Sequence, residues 1–161
     1  MDLKKLVGFL LLAALLTGCA PEETLETVND EWVVPVMAQP REISVRLPED
    51  ALAPVLEQDG RQLYMGRDYE IMLETLASGD LSATIRTLSG YDKDQLTVLN
   101  TRQEEAERYE FVWTAAGETG DRLGRAVILD DGDYHYCLSV LRDPGDTHVV
   151  WRDVFSSFTL V

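Results

Sequence analysis

The run LDDGDYHYC, Leu129 to Cys137, gathers three carboxylates, an imidazole and a thiol around one glycine. Asp130, Asp131 and Asp133 could offer oxygen ligands to calcium, a hard cation that tolerates irregular geometry. The run lacks the Asp/Asn spacing and the distal Glu of an EF-hand loop. Asp-Gly is also the pair that supplies the positive φ angles of a type I′ hairpin turn. The expectation is therefore a β-hairpin turn, with calcium binding by the three aspartates as the alternative. His135 and Cys137 stand two apart and so project to one side of a strand. With His148 they make a thin ligand set, because zinc ordinarily takes three or four Cys and His side chains at tight spacing. No G-x-S-x-G elbow, Walker loop or Rossmann glycine pattern accompanies them. No particular pair of carboxylates is marked for acid–base work either. The inventory predicts no catalytic residue, no metal and no enzyme, with Cys137 as a small core residue.

These side chains need a scaffold, and the hydropathy pattern supplies one. Ile43, Val45 and Leu47 alternate with polar residues up to Pro48, which predicts a strand. An irregular loop containing Pro54 and Gly60 follows. Gln62 to Met65 and Tyr69 to Leu76 read as paired strands joined near Gly66, the second apolar enough to be covered on both faces. Leu81, Ile85 and Leu88 recur at helical spacing between Asp80, an N-cap candidate, and Gly90, a stop. Gln95 to Asn100, Tyr109 to Ala115, Gly124 to Asp130 and Tyr134 to Leu141 are four further strands, with Tyr109, Phe111 and Trp113 sharing a face. The acidic and basic run at 102 to 110 is expected to be a polar hairpin connection. Trp151 with Phe155 and Val154 with Phe158 predict a last helix, capped by Asp146. The fold class is α+β: an antiparallel meander with one helix in its middle and one at its end.

The start of the chain has a different grammar. Lys4 and Lys5 precede LVGFLLLAALL, an apolar stretch too short for an ordinary spanning helix, for which roughly 20 residues are needed. A basic start, a short apolar run and small residues form the pattern of a secretory signal peptide. Here the run closes on Leu16, Thr17, Gly18 and Cys19. That tetrad resembles the lipobox of bacterial lipoproteins. The resemblance implies diacylglycerol transfer to the Cys19 thiol, cleavage before Cys19 and an acyl chain on the new amino terminus. Two or more acyl chains hold a protein on a bilayer stably where one does so marginally. Residues 1–18 are then the signal peptide. Cys19 and the acidic stretch to Asp30, with Glu22, Glu23 and Glu26, form a lipidated, flexible tether, and 31–161 a single globular domain. The expected location is the extracytoplasmic face of a cell membrane or outer membrane.

Charge narrows the partners. The chain has 29 acidic against 14 basic residues, a formal net charge of −15. Removing residues 1–18 takes away Asp2, Lys4 and Lys5 and leaves Cys137 as the one unmodified thiol, so no internal disulfide can form. An acidic surface repels phosphate backbones, which argues against nucleic acid as a partner. The order of elements, the phrase TLSGYDKDQLTVLNTRQEEAERYEFVWTA, and AVILDDGDYHYCLSV followed by VFSSFTL resemble the PsbP-like superfamily over about residues 41 to 161. That α/β/α sandwich is shared by a photosystem assembly protein, a nuclear Ran-binding protein and many bacterial envelope lipoproteins. The resemblance implies a sheet with helices packed on it and a role in binding or assembly, with no cofactor beyond the lipid on Cys19. A lipoprotein that binds or assembles an envelope protein is the leading expectation. A small-molecule or calcium-binding module is the alternative.

Overall fold

The computed structural model describes residues 38–161 apart from Thr119, Thr147 and His148. The expected signal peptide, Leu16, Thr17, Gly18, the Cys19 lipidation site and the acidic tether lie outside the described residues.

The architecture is mixed α+β, dominated by antiparallel sheet. In chain order the elements are β1 (Ile43–Ser44), β2 (Leu56–Gln58), β3 (Arg61–Met65), β4 (Tyr69–Ala77), α1 (Leu81–Ser89), β5 (Leu99–Gln103), β6 (Ala106–Gly117), β7 (Gly120–Asp130), β8 (Tyr134–Arg142), α2 (Trp151–Ser157) and β9 (Thr159–Leu160). A single 3-10 turn, Lys93–Gln95, stands between α1 and β5. Seven strands form one sheet in the order β2-β3-β4-β8-β7-β6-β5, and β1 pairs with β9 in a small ribbon. The expected single meander is thus two, β2-β3-β4 and β5-β6-β7-β8, joined where β4 lies antiparallel to β8 with Ile71 opposite Val140 and Glu74 opposite Cys137. The crossover from β4 to β5 runs through α1.

Strands β7 and β8 are buried on both faces, at Ala126 to Leu129 and His135 to Leu138, so the sheet carries two apolar layers, while β4 is covered on the α2 face and half-open at Glu70 and Met72 on the other. On one face Ile71, Leu73, Val127, Leu129, Tyr136 and Leu138 pack beneath α2, which contributes Trp151, Val154 and Phe155. On the other, Phe111, Trp113, Ala126, Ile128 and Cys137 pack beneath Ile85 of α1. Period-two alternation does the sorting: Tyr109, Phe111 and Trp113 share a face as expected, and that face is the one under α1, while Arg108, Glu110 and Val112 face α2. Helix α1 forms where its caps are legible. The Asp80 carboxylate accepts from the Ser82 N–H at 2.9 Å, and Gly90 closes the helix at φ 80° with its N–H donating to Arg86 O.

Several expectations shift. Gln95 to Asn100 is not one strand: the 3-10 turn takes its start, and β5 begins at Leu99. The strand expected to reach Leu47 pairs only at Ile43 and Ser44, because the Arg46 N–H turns to Ser157 Oγ at 2.8 Å. The irregular loop around Gly60 holds β2 and a two-residue hairpin turn, with φ 49° at Asp59 and 77° at Gly60. Both signs suit a type I′ turn. Asp146 does not cap the last helix. The N-cap is Val150, without a side-chain bond, and the buried Asp146 carboxylate instead accepts from Trp151 Nε1 at 2.7 Å.

Arg108 fixes where α2 ends. Almost fully buried, its guanidinium donates to Phe155 O at 3.0 Å, to Phe158 O at 3.5 Å and to Gln103 Oε1 and Glu110 Oε1 at 2.7 Å each. The last carbonyls of a helix have no partner within it, and here a cation supplies two of them, the charge that a helix C-terminus favours. Glu110 also accepts from Arg125 at 2.9 Å, whose guanidinium carbon stands 4.2 Å from the centre of the Phe155 ring. Helix and sheet are locked through one carboxylate and two arginines.

Candidate functional site

The aspartate-rich run folds as the β7–β8 hairpin turn, and the carboxylates of Asp130 and Asp131 are engaged locally. Asp131 Oδ1 accepts from the N–H groups of Asp133 and Tyr134 at 3.0 and 2.8 Å. Its Oδ2 accepts from the Tyr136 hydroxyl at 2.9 Å. Burial by itself raises the Asp131 pKa, but the two backbone donors and the tyrosine outweigh it and hold the carboxyl below its ordinary value. Asp130 Oδ1 accepts from Gly132 N–H at 2.9 Å, and Gly132 alone in this turn takes a positive φ, 97°, so the turn is not the expected type I′, which needs a positive φ at both central residues. Asp133 is exposed. Among the described residues no group of three or more His, Cys, Asp or Glu side chains is placed to hold a metal ion. What the hairpin does grip is the incoming chain. The Tyr134 hydroxyl donates to Ala38 O at 2.8 Å, and the Tyr136 oxygen accepts from the Arg41 N–H at 2.8 Å.

His135 and Cys137 share the α1 face as their spacing requires. His135 is 1% exposed, its Nδ1 lying 2.8 Å from Thr84 Oγ1 of α1 and its Nε2 3.5 Å from Asp130 Oδ2. Hydroxyl, imidazole and carboxylate thus occur in the order of a nucleophilic triad. Thr84 is itself buried inside a helix, however, and its hydroxyl faces His135 across the α1–sheet contact. The contact ties α1 to the sheet. Cys137 is free and fully buried, and burial, with the Glu74 carboxylate adding to it, pushes its thiol well above the usual range. Glu74, opposite Cys137 in the ladder, is also buried and forms an ion pair with Arg61. His148 lies outside the described residues.

Two surfaces that motif reading did not pick out are open to solvent. On the α1 face, the edge formed by β2, β3 and β4 carries Leu56, Leu63, Met65 and Met72. Leu56 is opposite Leu63 and Leu63 opposite Met72. Leu56 and Met65 are exposed, at 45% and 52%, and Leu63 and Met72 belong to neither core layer. The ion pairs Arg61–Glu74 and Arg122–Glu70 border this face. On the opposite face, beside the seven-residue α2, a groove of about 510 Å³ runs over β6, β7 and β8, its walls including Val112, Leu123, Trp151 and Phe155. The alternation in β6 held the signal for the groove, since Val112 falls out of phase with Phe111 and Trp113. The edge patch had none, because β2 was not legible.

Neither a family model, nor a curated protein, nor a solved structure matches this chain. Function therefore rests on the residues. Among the described residues no helix is long and apolar enough to cross a membrane.

Proposed function

We propose that this chain is a lipid-anchored lipoprotein on the extracytoplasmic face of a cell membrane or outer membrane, and that its domain is a PsbP-like α/β/α sandwich that binds or helps assemble another envelope protein. The anchor rests on the lipobox-like Leu16, Thr17, Gly18 and Cys19 behind a short apolar run. The binding role rests on one observation, the contiguous face of Leu56, Leu63, Met65 and Met72 left outside both core layers at an open sheet edge. An exposed apolar patch rimmed by charged residues is the usual mark of an interaction surface. An edge strand adds free backbone groups for a partner to pair with. The reading assigns no catalytic residue and no metal.

Two measurements test it. Cys19→Ala should leave the protein uncleaved and unlabelled by a palmitate analogue. A variant that still matures and partitions with membranes refutes the anchor. Crosslinking in the native envelope should capture one saturable protein partner, lost on Leu56→Glu together with Met65→Glu. Capture that is unchanged by this pair refutes the proposed surface.

A further inference from the structure

The groove beside α2 differs from the rest of the molecule in charge. The chain has 29 acidic residues, yet among the described residues no aspartate or glutamate lines the groove, and the charged ones that do are arginines, Arg125 and Arg142. The ladder fixes their relation. Arg125 is opposite Val140 and Leu123 is opposite Arg142, so the two arginines are diagonal neighbours with Cβ atoms roughly 7 Å apart, within reach of one carboxylate. Val112 is opposite Arg125 and Thr114 opposite Leu123, which completes a three-strand floor. Trp151 and Phe155 of α2 make the side wall, with Arg125 held over the Phe155 ring.

The Arg125 charge is only partly offset. Glu110 is shared between Arg108 and Arg125, one carboxylate for two guanidiniums. Arg142 donates to a neutral acceptor, Asp146 O, at 3.2 Å. A volume of about 510 Å³ falls within the roughly 300–1,000 Å³ of small-molecule sites. The floor over β7 and β8 is sheet interior with its backbone groups paired, while β6 past Glu110 has no β5 partner and keeps one open edge. A peptide laid across β7 and β8 finds no main-chain partners of the sort that strand addition uses, which are offered only along the open edge of β6. An occupant whose only polar end is a single anionic head loses nothing by this.

We propose that this groove binds a single-chain amphiphile with a carboxylate head, the head between Arg125 and Arg142 and the chain along Val112, Leu123 and α2. Guanidinium forks match the planar carboxylate, and the apolar chain covers Val112, which is 63% exposed. The site is on the opposite face from the Leu56–Met72 patch and stands independently of the partner-binding reading.

The test is calorimetry of the full-length chain with monomeric dodecanoate, beside dodecyltrimethylammonium and dodecanol. Saturable one-to-one binding of dodecanoate is expected, with the cation and the alcohol at least about tenfold weaker, the loss of one charge-assisted bond. Val112→Glu, at an exposed position that the fold does not depend on, should weaken dodecanoate by about tenfold or more, and Arg142→Gln by a similar factor. The Leu56→Glu, Met65→Glu pair should bind dodecanoate as the parent does. Absence of saturable binding overturns the proposal, as does equal affinity for the cation, or binding unaltered by Val112→Glu with an unchanged melting temperature. Binding to anionic vesicles without binding to monomer also overturns it, in favour of a membrane surface. None of these outcomes bears on envelope crosslinking through the other face.

Discussion

Replacing Arg108 with Met should cost about 3 kcal/mol of folding stability, mainly by loosening α2. The substitution keeps much of the apolar stem and removes every donation from the guanidinium. Phe158 O retains Gln103 Nε2 at 3.1 Å, so the main orphan is the buried Phe155 carbonyl, at about 1–3 kcal/mol. Glu110 keeps Arg125 and is about a quarter exposed, so its loss is smaller than the roughly 3–5 kcal/mol of an uncompensated buried ion. A total of about 3 kcal/mol lowers the melting temperature by roughly 10 °C in a domain of this size. Thermal unfolding by circular dichroism measures this, and hydrogen exchange locates it: the amides of α2 and β9 should lose protection before those of α1. Arg108→Met combined with Glu110→Gln should cost less than the sum of the two, with a coupling of about 1 kcal/mol or more. A single-mutant loss below about 0.5 kcal/mol, or strict additivity in the pair, would refute the lock.

Three other outcomes follow from particular contacts. A Cβ at Gly124 would overlap the Trp113 ring, so Gly124→Ala should destabilise by about 1–3 kcal/mol, and adding Trp113→Leu should recover part of that in denaturant titrations. With Cys19 replaced by Ala, Cys137 should resist Ellman's reagent in the folded protein and react fully in denaturant; rapid native reaction would contradict its burial under α1. The carboxyls of Asp131 and Glu110 both titrate below their ordinary values, because donors outweigh burial: the Tyr134, Tyr136 and Asp133 groups for Asp131, and Arg125 and Arg108 for Glu110. A folded pKa below the unfolded one gives stability that is complete above the unfolded pKa near 4 and lost as pH falls through the folded value. Asp131→Asn should therefore lower stability at pH 7 and flatten the acid limb of a stability–pH profile, and an unchanged limb would show that the hairpin contacts contribute little.

The sequence by itself determined whatever depends on near neighbours. Asp80 and Gly90 bound α1, alternation set Tyr109, Phe111 and Trp113 on one face, and Gly132 placed the β7–β8 turn, though not its type, because caps, pleat and turns act over a few residues. Only the tertiary structure decided the pairing of β4 with β8, the ribbon of β1 with β9, and the use of Asp146 for Trp151 in place of a cap. Those choices join residues far apart in the chain, and they are set by which apolar faces must be covered together. The same holds for both proposed surfaces. Arg125 and Arg142 are 17 positions apart and become diagonal neighbours only through the β7–β8 register, and Leu56 meets Met72 only across β3. A register links such residues through backbone hydrogen bonds that no local pattern encodes, so the chemistry of this protein's surfaces emerges with the sheet.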